Sequence, residues 1–257
     1  MKKLIAFDLD GTLAPSKSTL DARMATILNA LLEKFEVCII SGAKYELIQH
    51  QVLTQLTSDP ELLAKLHLMP TSGTRYYNFD TATQDWNLVY ANDFTAEQKQ
   101  KIIAALAEGF KESGFKSETV YGEIIEDRES QITLSTLGQD IVAQLGNEGV
   151  RIKEEWDPDN AKKMAIRALV APKIPEFEVR SAGVTSIDVT MPGVDKAYGM
   201  KRLMEETGIA QDDILFFGDR MQEGGNDYPV QAMGIDSIEI HNWQNTAQVL
   251  NGILHVI

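Results

Sequence analysis

The sequence predicts an α/β fold, a parallel sheet with helices on both faces, into which an α+β domain is inserted. Up to about residue 70, short apolar runs alternate with stretches of helical spacing, as in βαβ units. The same alternation returns near residue 196, whereas the segment between carries antiparallel hairpin patterns. We therefore expect a discontinuous core domain of residues 1–82 and 190–257, and an inserted domain of residues 83–189.

The first part of the chain alternates predicted strands and helices. Residues 4–7 form a wholly apolar run, which is typical of a buried parallel strand. Apolar residues then recur at helical spacing from Met24 to Leu32, and Thr19 or Asp21 is suited to cap this helix. The pattern predicts a strand over 4–7, a helix over 20–35, a strand over 36–40 and a helix from about Lys44.

The middle of the chain has a different pattern. Aromatic and β-branched residues on either side of the polar stretch 80–85 predict a hairpin of residues 76–79 and 87–90. Apolar residues at helical spacing predict helices over 95–113 and 158–169. Runs of Val, Ile and Thr predict two pairs of strands, 119–126 with 131–135 and 177–182 with 185–191.

The last part of the chain returns to the βαβ pattern. It predicts a helix over 198–207, a buried strand over 214–217 and a short strand over 237–240. The carboxyl ends of parallel strands meet at one edge of a sheet, where ligands bind in α/β folds. Three predicted strands end at polar groups that we expect at this edge: Asp8, Ser41 and Asp219.

Two carboxylates one residue apart follow the first strand. Asp8 and Asp10 repel each other, so their proximity is explained best by a cation or a shared proton between them. Gly11 permits a sharp turn, and Thr12 offers a hydroxyl and an amide to an anion. The spacing differs from that of an EF-hand calcium loop, in which the glycine comes later.

The charge of the chain restricts its partners. It carries 24 Lys and Arg against 38 Asp and Glu, a formal net charge of −14. This charge disfavours nucleic acids and anionic membranes as partners. An anionic substrate would therefore need a metal ion and a few well-placed cations to bind.

The single cysteine and the hydropathy pattern indicate a cytoplasmic protein. Cys38 lies within an apolar run typical of a buried strand, and one cysteine cannot form a disulfide within the chain. We find no signal-peptide pattern and no apolar run near the roughly 20 residues that a membrane-spanning helix needs.

Four motifs follow one another along the chain. They are Asp8-x-Asp10-Gly11-Thr12, Ser41-Gly42, Lys196, and Gly218-Asp219 with Gly225-Asn226-Asp227. In this order they resemble the four motifs of the haloacid dehalogenase superfamily, and the resemblance spans the chain. Within that superfamily the chain is similar to the phosphomannomutase branch at residues 7–15, 186–189, 195–198, and 216–219 with 224–227. The resemblance implies a Rossmann-like core with an inserted α+β cap of type IIB.

The resemblance also implies a role for each motif. Asp8 would be the nucleophile that carries the phosphoryl group, Asp10 the general acid and base, and Lys196 the partner of Asp8 and the phosphate. It implies Mg²⁺ as the cofactor, a hard ion that prefers oxygen ligands. The other implied roles are phosphate binding by Thr12, Ser41 and Gly42, metal binding by Asp8, Asp10 (through its carbonyl group) and Asp219, and support of the metal by Asn226 and Asp227.

Substrate recognition is expected in the cap. Arg128, Ser186 and Asp188 match residues that contact the sugar phosphate in the phosphomannomutase branch. The resemblance therefore implies a small phosphorylated substrate. Members of that branch often pair through the cap, so a homodimer through residues 83–189 is also an expectation.

Other cations of that branch are missing from this chain. Ser16 stands where an arginine follows Ala-Pro, and Gly138-Gln139 stands where Gly-Arg is expected. A further arginine position is lost near Leu145 or Gly146. A mutase must hold a second phosphate with such cations, and each charged hydrogen bond contributes about 1.5–3 kcal/mol.

Three functions are compatible with these residues. We favour a Mg²⁺-dependent phosphatase that acts on a sugar phosphate or a similar small metabolite, because a hydrolase needs to hold only one phosphate. The second hypothesis is an isomerase that interconverts hexose 1- and 6-phosphates. The third is a binding or scaffold protein that has kept the fold without catalysis, which the complete set of motif residues disfavours.

Overall fold

The computed structural model describes residues 2–256 and confirms a mixed α/β fold. The strands are β1 (Leu4–Phe7), β2 (Glu36–Ile40), β3 (Leu66–Met69), β4 (Arg75–Asp80), β5 (Asp85–Ala91), β6 (Ile125–Asp127), β7 (Ile132–Ser135), β8 (Glu178–Ala182), β9 (Ser186–Thr190), β10 (Ile214–Gly218) and β11 (Asp236–Glu239).

The α-helices are α1 (Ala22–Leu32), α2 (Tyr45–Gln51), α3 (Pro60–Leu63), α4 (Ala96–Glu112), α5 (Ile141–Leu145), α6 (Asn147–Trp156), α7 (Ala161–Val170), α8 (Lys196–Thr207), α9 (Tyr228–Ala232) and α10 (Trp243–Val256). Short 3₁₀ helices lie at Leu53–Gln55, Thr71–Gly73, Ala171–Lys173 and Gln211–Asp213. Within residues 2–256, no helix combines the length and the hydropathy needed to cross a bilayer.

The chain divides into two compact units. The first contains the residues up to Ala91 and those from Val194 onward, and the second is Asn92–Gly193. The boundaries expected at 82/83 and 189/190 differ from these. The first of them cuts a hairpin, because β5 pairs antiparallel with β4 and thereby belongs to the sheet of the first unit.

The sheet of the first unit places β1 between two parallel neighbours. Within the described residues its strand order is β11-β10-β1-β2-β3-β4-β5. The strands from β11 to β3 run parallel, and β4 and β5 extend the sheet antiparallel. The segments that follow β1, β2 and β10 therefore leave the sheet side by side at one edge.

Both faces of β1 are buried against helices, which explains its uninterrupted apolar sequence. Leu4 belongs to a cluster on one face that includes Met200 of α8. Ile5 points to the opposite face, into a cluster that includes Leu28 of α1 and Leu250 of α10. A strand buried on both sides is held rigidly, and so is the residue that follows it.

The second unit is an antiparallel sheet with the strand order β6-β7-β9-β8. Its core contains Ile102 of α4, Ile166 of α7 and the inward residues of β7 and β9. The strand predicted over 119–126 is only three residues long, at β6. Gly122 interrupts it with a φ of 78°, and a Cβ there would lie 2.2 Å from Asp140 Oδ2. Helices α5 and α6 were not predicted.

Candidate active site

Three polar residues follow neighbouring strands at the carboxyl edge of the sheet. Asp8 comes directly after β1, Ser41 after β2 and Asp219 after β10. The backbone N–H of Asp8 donates to the carbonyl oxygen of Phe217 at 2.9 Å, which continues the β1–β10 ladder to the end of both strands. The predicted juxtaposition of these strand ends follows from the strand order.

Lys196 brings two buried carboxylates together. Its Nζ donates to Oδ1 of Asp8 and to Oδ1 of Asp227, and all three side chains are almost completely buried. Lys196 is the first residue of α8, which begins at the N-cap Asp195, whose side chain accepts from the N–H of Tyr198 at 2.9 Å. This cap fixes the point at which the lysine leaves the helix.

The shared burial changes the protonation of these groups. Burial raises the pKa of Asp8 to about 7, against the opposing effect of Lys196 and with a further increase from Asp227. Burial alone would lower the pKa of Lys196, but the carboxylates of Asp227 and Asp8 raise it above its usual value. Lys196 is therefore a cation at neutral pH, whereas Asp8 lies near the midpoint of its titration.

Asp8, Asp219 and Asp227 form a cluster that could hold a metal ion. Each offers a carboxylate oxygen, and these atoms lie within 4.8 Å of one another. Burial raises the pKa of Asp219, and the neighbouring carboxylate of Asp227 adds to that effect. Three carboxylates this close are stabilised by a bound cation, and the oxygen donor set suits a hard divalent ion.

Two glycines make room for this cluster. Gly11 has a φ of 90°, and a Cβ there would lie 2.6 Å from Asp219 Oδ2. A Cβ on Gly218 would lie 2.5 Å from Asp227 Cγ. Both positions accept only glycine without displacing a carboxylate.

Asp227 is held by the loop that connects β10 to α9. Its Oδ2 accepts from the backbone N–H of Arg220 at 3.0 Å, and its own N–H donates to the Arg220 carbonyl oxygen at 3.2 Å. We predicted Asp227 and Asn226 as supports of the metal. The structure places Asp227 inside the carboxylate cluster, whereas Asn226 is exposed in the same loop.

The Asp10 carboxyl group lies outside that cluster. Its Oδ1 accepts from the backbone N–H of Lys17 at 2.9 Å and from Nε2 of Gln51 at 3.4 Å. Lys17 is a non-glycine residue with a φ of 56°, a conformation that is often kept at functional loops. The two carboxylates of the Asp8-x-Asp10 pair therefore have separate environments.

The predicted phosphate-binding residues lie in two loops of the same unit. Thr12 is fully buried, and its Oγ1 has no hydrogen-bond partner among the described residues. Ser41 Oγ accepts from the N–H of Ala43 at 3.2 Å, which leaves the hydroxyl hydrogen able to donate to an anion. A Cβ added at Gly42 would meet no atom of the described chain within 4 Å, so internal packing does not explain that glycine.

The three predicted substrate residues lie in the second unit. Asp188 on β9 is opposite Thr133 on β7, whose hydroxyl donates to Asp188 Oδ1 at 2.7 Å. Burial raises the pKa of Asp188, and Arg128 partly offsets this. Ser186 lies at the start of the same strand. Arg128 donates from Nε to Oε2 of Glu126 at 2.8 Å.

Two parts of the site were not predicted from the sequence. Gln51 contacts Asp10 from the last turn of α2, and the sequence signal for it is a polar residue on the buried face of that helix, one turn after Ile48. Thr71 and Ser72 have positive φ values, and the N–H of Ser72 donates to the Ser41 carbonyl oxygen at 2.9 Å. These contacts brace the Ser41 loop.

The chain is similar to known proteins over most of its length. Residues 5–229 match the family model described as haloacid dehalogenase-like hydrolase. Phosphomannomutase from Encephalitozoon cuniculi is 25% identical over 239 residues, covering 89% of this chain and 84% of that protein. Human phosphomannomutase 1 is 24% identical over 235 residues, covering 89% and 83% respectively.

Solved structures show the same fold. An IMP-bound mutant of the Plasmodium falciparum IMP-nucleotidase has a TM-score of 0.70 at 18% identity, covering 100% of this chain and 67% of that one. A haloacid dehalogenase-like hydrolase from Bacteroides thetaiotaomicron has a TM-score of 0.62 at 14% identity, covering 98% and 100%. Together with the site described above, the match over residues 5–229 shows that this chain belongs to the haloacid dehalogenase-like hydrolases, near their phosphomannomutase branch.

Proposed function

We propose that this enzyme of phosphoryl transfer is a Mg²⁺-dependent phosphatase that hydrolyses the phosphate monoester of a small sugar or a similar metabolite through phospho-Asp8. One observation carries the proposal. The buried carboxylate of Asp8 is held by Lys196 beside the carboxylates of Asp219 and Asp227, at the end of the central strand β1.

The chain's own residues suit both half-reactions. In the first, an Asp8 oxygen forms a bond to phosphorus while the ester P–O bond breaks, and Asp10 gives a proton to the leaving oxygen. In the second, Asp10 takes a proton from a water molecule that attacks the phosphoryl group and releases Asp8. Lys196 donates to Oδ1 of Asp8 and thereby fixes the orientation of the carboxylate that attacks.

The residues present fit Mg²⁺. Asp8, Asp219 and Asp227 would hold it, and the backbone carbonyl group of Asp10 is proposed as a further ligand. A bound Mg²⁺ would polarise the phosphoryl oxygens and offset the repulsion between an anionic ester and a chain of net charge −14.

The phosphate would be held by donors from the two loops. The unpaired, buried Oγ1 of Thr12 is a polar atom whose desolvation is compensated if it donates to a phosphoryl oxygen. The Ser41 hydroxyl and the backbone at Gly42 would supply further donors, and the packing at Gly42 leaves that position open.

The cations of the second unit favour hydrolysis over mutase chemistry. One row of paired residues crosses the sheet of the second unit: Glu126 on β6, Thr133 on β7, Asp188 on β9 and Arg180 on β8. Arg180 donates to Glu178 at 2.8 Å, as Arg128 does to Glu126. Both arginines are thus paired with glutamates, which leaves less net positive charge for a second phosphate than two unpaired arginines would offer.

A phosphomannomutase-like isomerase is the second candidate. It is favoured by the relatives, which are named phosphomannomutases and cover most of this chain, and by the presence of Arg128, Ser186 and Asp188. We propose that these three residues contact the substrate in either case. Arg128→Gln should then raise KM for the sugar phosphate more than it lowers kcat.

The test is a panel of sugar phosphates assayed with Mg²⁺, with and without a hexose bisphosphate. We expect phosphate release that does not depend on the bisphosphate, and no turnover by Asp8→Asn. A hexose 1- to 6-phosphate conversion that needs the bisphosphate and outpaces phosphate release would establish the isomerase instead. If Asp8→Asn releases phosphate as fast as the wild type in the presence of Mg²⁺, the mechanism is refuted. Phosphate release by the wild type itself would exclude a scaffold protein without catalysis.

The proposal also concerns where the protein acts and with what. A phosphorylated small molecule is the proposed partner, and the cytoplasm, which supplies such molecules and Mg²⁺, is the proposed compartment. Cell fractionation against a cytoplasmic marker tests the location. A homodimer through the second unit, which the resemblance alone suggests, would appear in sedimentation as twice the 28.6 kDa mass of the chain.

A further inference from the structure

Gln51 makes three hydrogen bonds to the segment that begins at Asp10 and leads to α1. Its side chain is fully buried at the end of α2, and its Nε2 donates to the Ser18 carbonyl oxygen at 2.9 Å and to Asp10 Oδ1 at 3.4 Å. The backbone carbonyl oxygen of Gln51 accepts from the backbone N–H of Leu20 at 2.9 Å. One residue of α2 therefore holds both ends of the segment between the catalytic carboxyl group and α1.

The orientation of the Gln51 amide is fixed by its partners. Both neighbours of Nε2 are oxygen atoms that accept hydrogen bonds, so the amide nitrogen must face them. In this orientation Oε1 is buried and has no hydrogen-bond partner in residues 2–256. An unpaired buried acceptor is unfavourable. The orientation that leaves Oε1 unpaired is the one in which Nε2 contacts Asp10.

The two contacts to Asp10 distinguish its oxygen atoms. Oδ1 faces two N–H groups, that of Lys17 and that of Gln51, and an amide N–H can only donate. A proton on Oδ1 would use one of the two in-plane lone pairs that accept from these donors, so one of the two N–H groups would lose its acceptor. The acid form of Asp10 therefore carries its proton on Oδ2.

We propose that Gln51 is a positioning residue that keeps the Asp10 proton on Oδ2, where it can be given to the leaving oxygen. This inference rests on the proposed function, in which Asp10 is the general acid. When the ester P–O bond breaks, its electron pair stays on the leaving oxygen, which takes the Oδ2 proton while Asp8 bonds to phosphorus. Water later returns a proton to the same Oδ2.

The effect of Gln51 must then depend on the leaving group. An alkoxide is a poor leaving group that requires the proton, whereas p-nitrophenolate leaves without it. The value of kcat/KM reports only the steps up to the first irreversible one, which is the transfer to Asp8. The ratio of kcat/KM for glycerol 2-phosphate to that for p-nitrophenyl phosphate therefore isolates the acid step.

The experiment compares this ratio in four variants of the whole chain with Mg²⁺. Gln51→Met keeps the volume and removes the donor, and we expect the ratio to fall by about 10- to 100-fold. Asp10→Asn should lower the ratio at least as much, and adding Gln51→Met to it should lower the ratio no further. Gln55→Met, an exposed position in the turn after α2, is the matched control and should keep the wild-type ratio.

The outcomes separate the two proposals. A ratio within twofold of the wild type in Gln51→Met, with a lowered ratio in Asp10→Asn, overturns the role of Gln51 alone. An unchanged ratio in Asp10→Asn, or a wild-type protein that hydrolyses neither ester, overturns the proposed function and the inference with it. If Asp10→Asn is inactive with both esters, the ratio measured for Gln51→Met alone decides whether the role of Gln51 stands. If Gln51→Met fails to fold by circular dichroism, Gln51→Asn, which withdraws the amide by one methylene, replaces it with the same expected loss.

Discussion

Lys196 Nζ contacts Oδ1 of Asp8 across 188 positions of sequence, inside the protein. The same nitrogen contacts Asp227, so one cation serves two buried carboxylates. A buried charge is costly when its partner is removed. The lysine is therefore a structural member of the site as well as a candidate for catalysis.

Removing that lysine should destabilise the metal-free protein strongly. Lys196→Met leaves Asp8 and Asp227 buried without a cation, and we expect the free energy of unfolding in urea with EDTA to fall by about 3–5 kcal/mol. Lys3→Met is the control, because Lys3 pairs with Asp213 at the surface and should cost less than about 1 kcal/mol. Equal losses in the two variants would contradict the proposed importance of the buried pair.

Magnesium binding should depend on pH through Asp8. Its pKa is raised to about 7, so the metal-free folded protein keeps a proton on Asp8 below neutral pH. Mg²⁺ requires the carboxylate, and we expect its Kd in calorimetric titrations to be about tenfold higher near pH 6 than near pH 8.

The sign of this dependence follows from competition between the proton and the metal for one group. Asp8→Asn should bind Mg²⁺ more weakly, and its Kd should lose the part of the pH dependence that the Asp8 carboxyl group causes. A Kd for the wild type that is constant over this range would show that Asp8 is not a ligand.

Gly11 should be required both for the backbone and for the carboxylate cluster. Gly11→Ala places a side chain at a φ of 90° and a Cβ 2.6 Å from Asp219 Oδ2. We expect the free energy of unfolding to fall by about 1–3 kcal/mol and the Mg²⁺ Kd to rise. In contrast, Gly252→Ala on α10 meets no described atom within 4 Å and should stabilise the protein by about 0.5–1 kcal/mol. A Gly11→Ala protein with wild-type Mg²⁺ affinity would disprove the steric argument.

The sequence predicted β1, β2 and β10 of the parallel core well because these strands are almost wholly buried. It missed β3, which is just as buried, and the 14-residue helix α10. The predicted strands over 4–7 and 36–40 coincide with β1 and β2. In the second unit, where strands are short and glycines interrupt them, the same patterns overestimated β6 and missed α5 and α6. Hydrophobic periodicity is weak in elements of five to ten residues that bury only part of one face.

The site was predictable where residues follow strands and less so where loops fold back. Asp8, Ser41 and Asp219 lie where the strand pattern placed them. The position of Asp227 within the carboxylate cluster depends on its bonds to the Arg220 backbone, which no local pattern reveals. Gln51 reaches Asp10 across 41 positions, and only the packing of α2 brings them together.

The central place of β1 has a consequence for how the protein is made. During synthesis β1 to β5 are complete once Ala91 has emerged, but β10, the other neighbour of β1, follows only after the whole of Asn92–Gly193. Until then one edge of β1 exposes unpaired backbone groups, which are a template for pairing with other chains. The strand that leads to the residue proposed to attack the substrate thus finds its second neighbour only after the whole second unit has been translated.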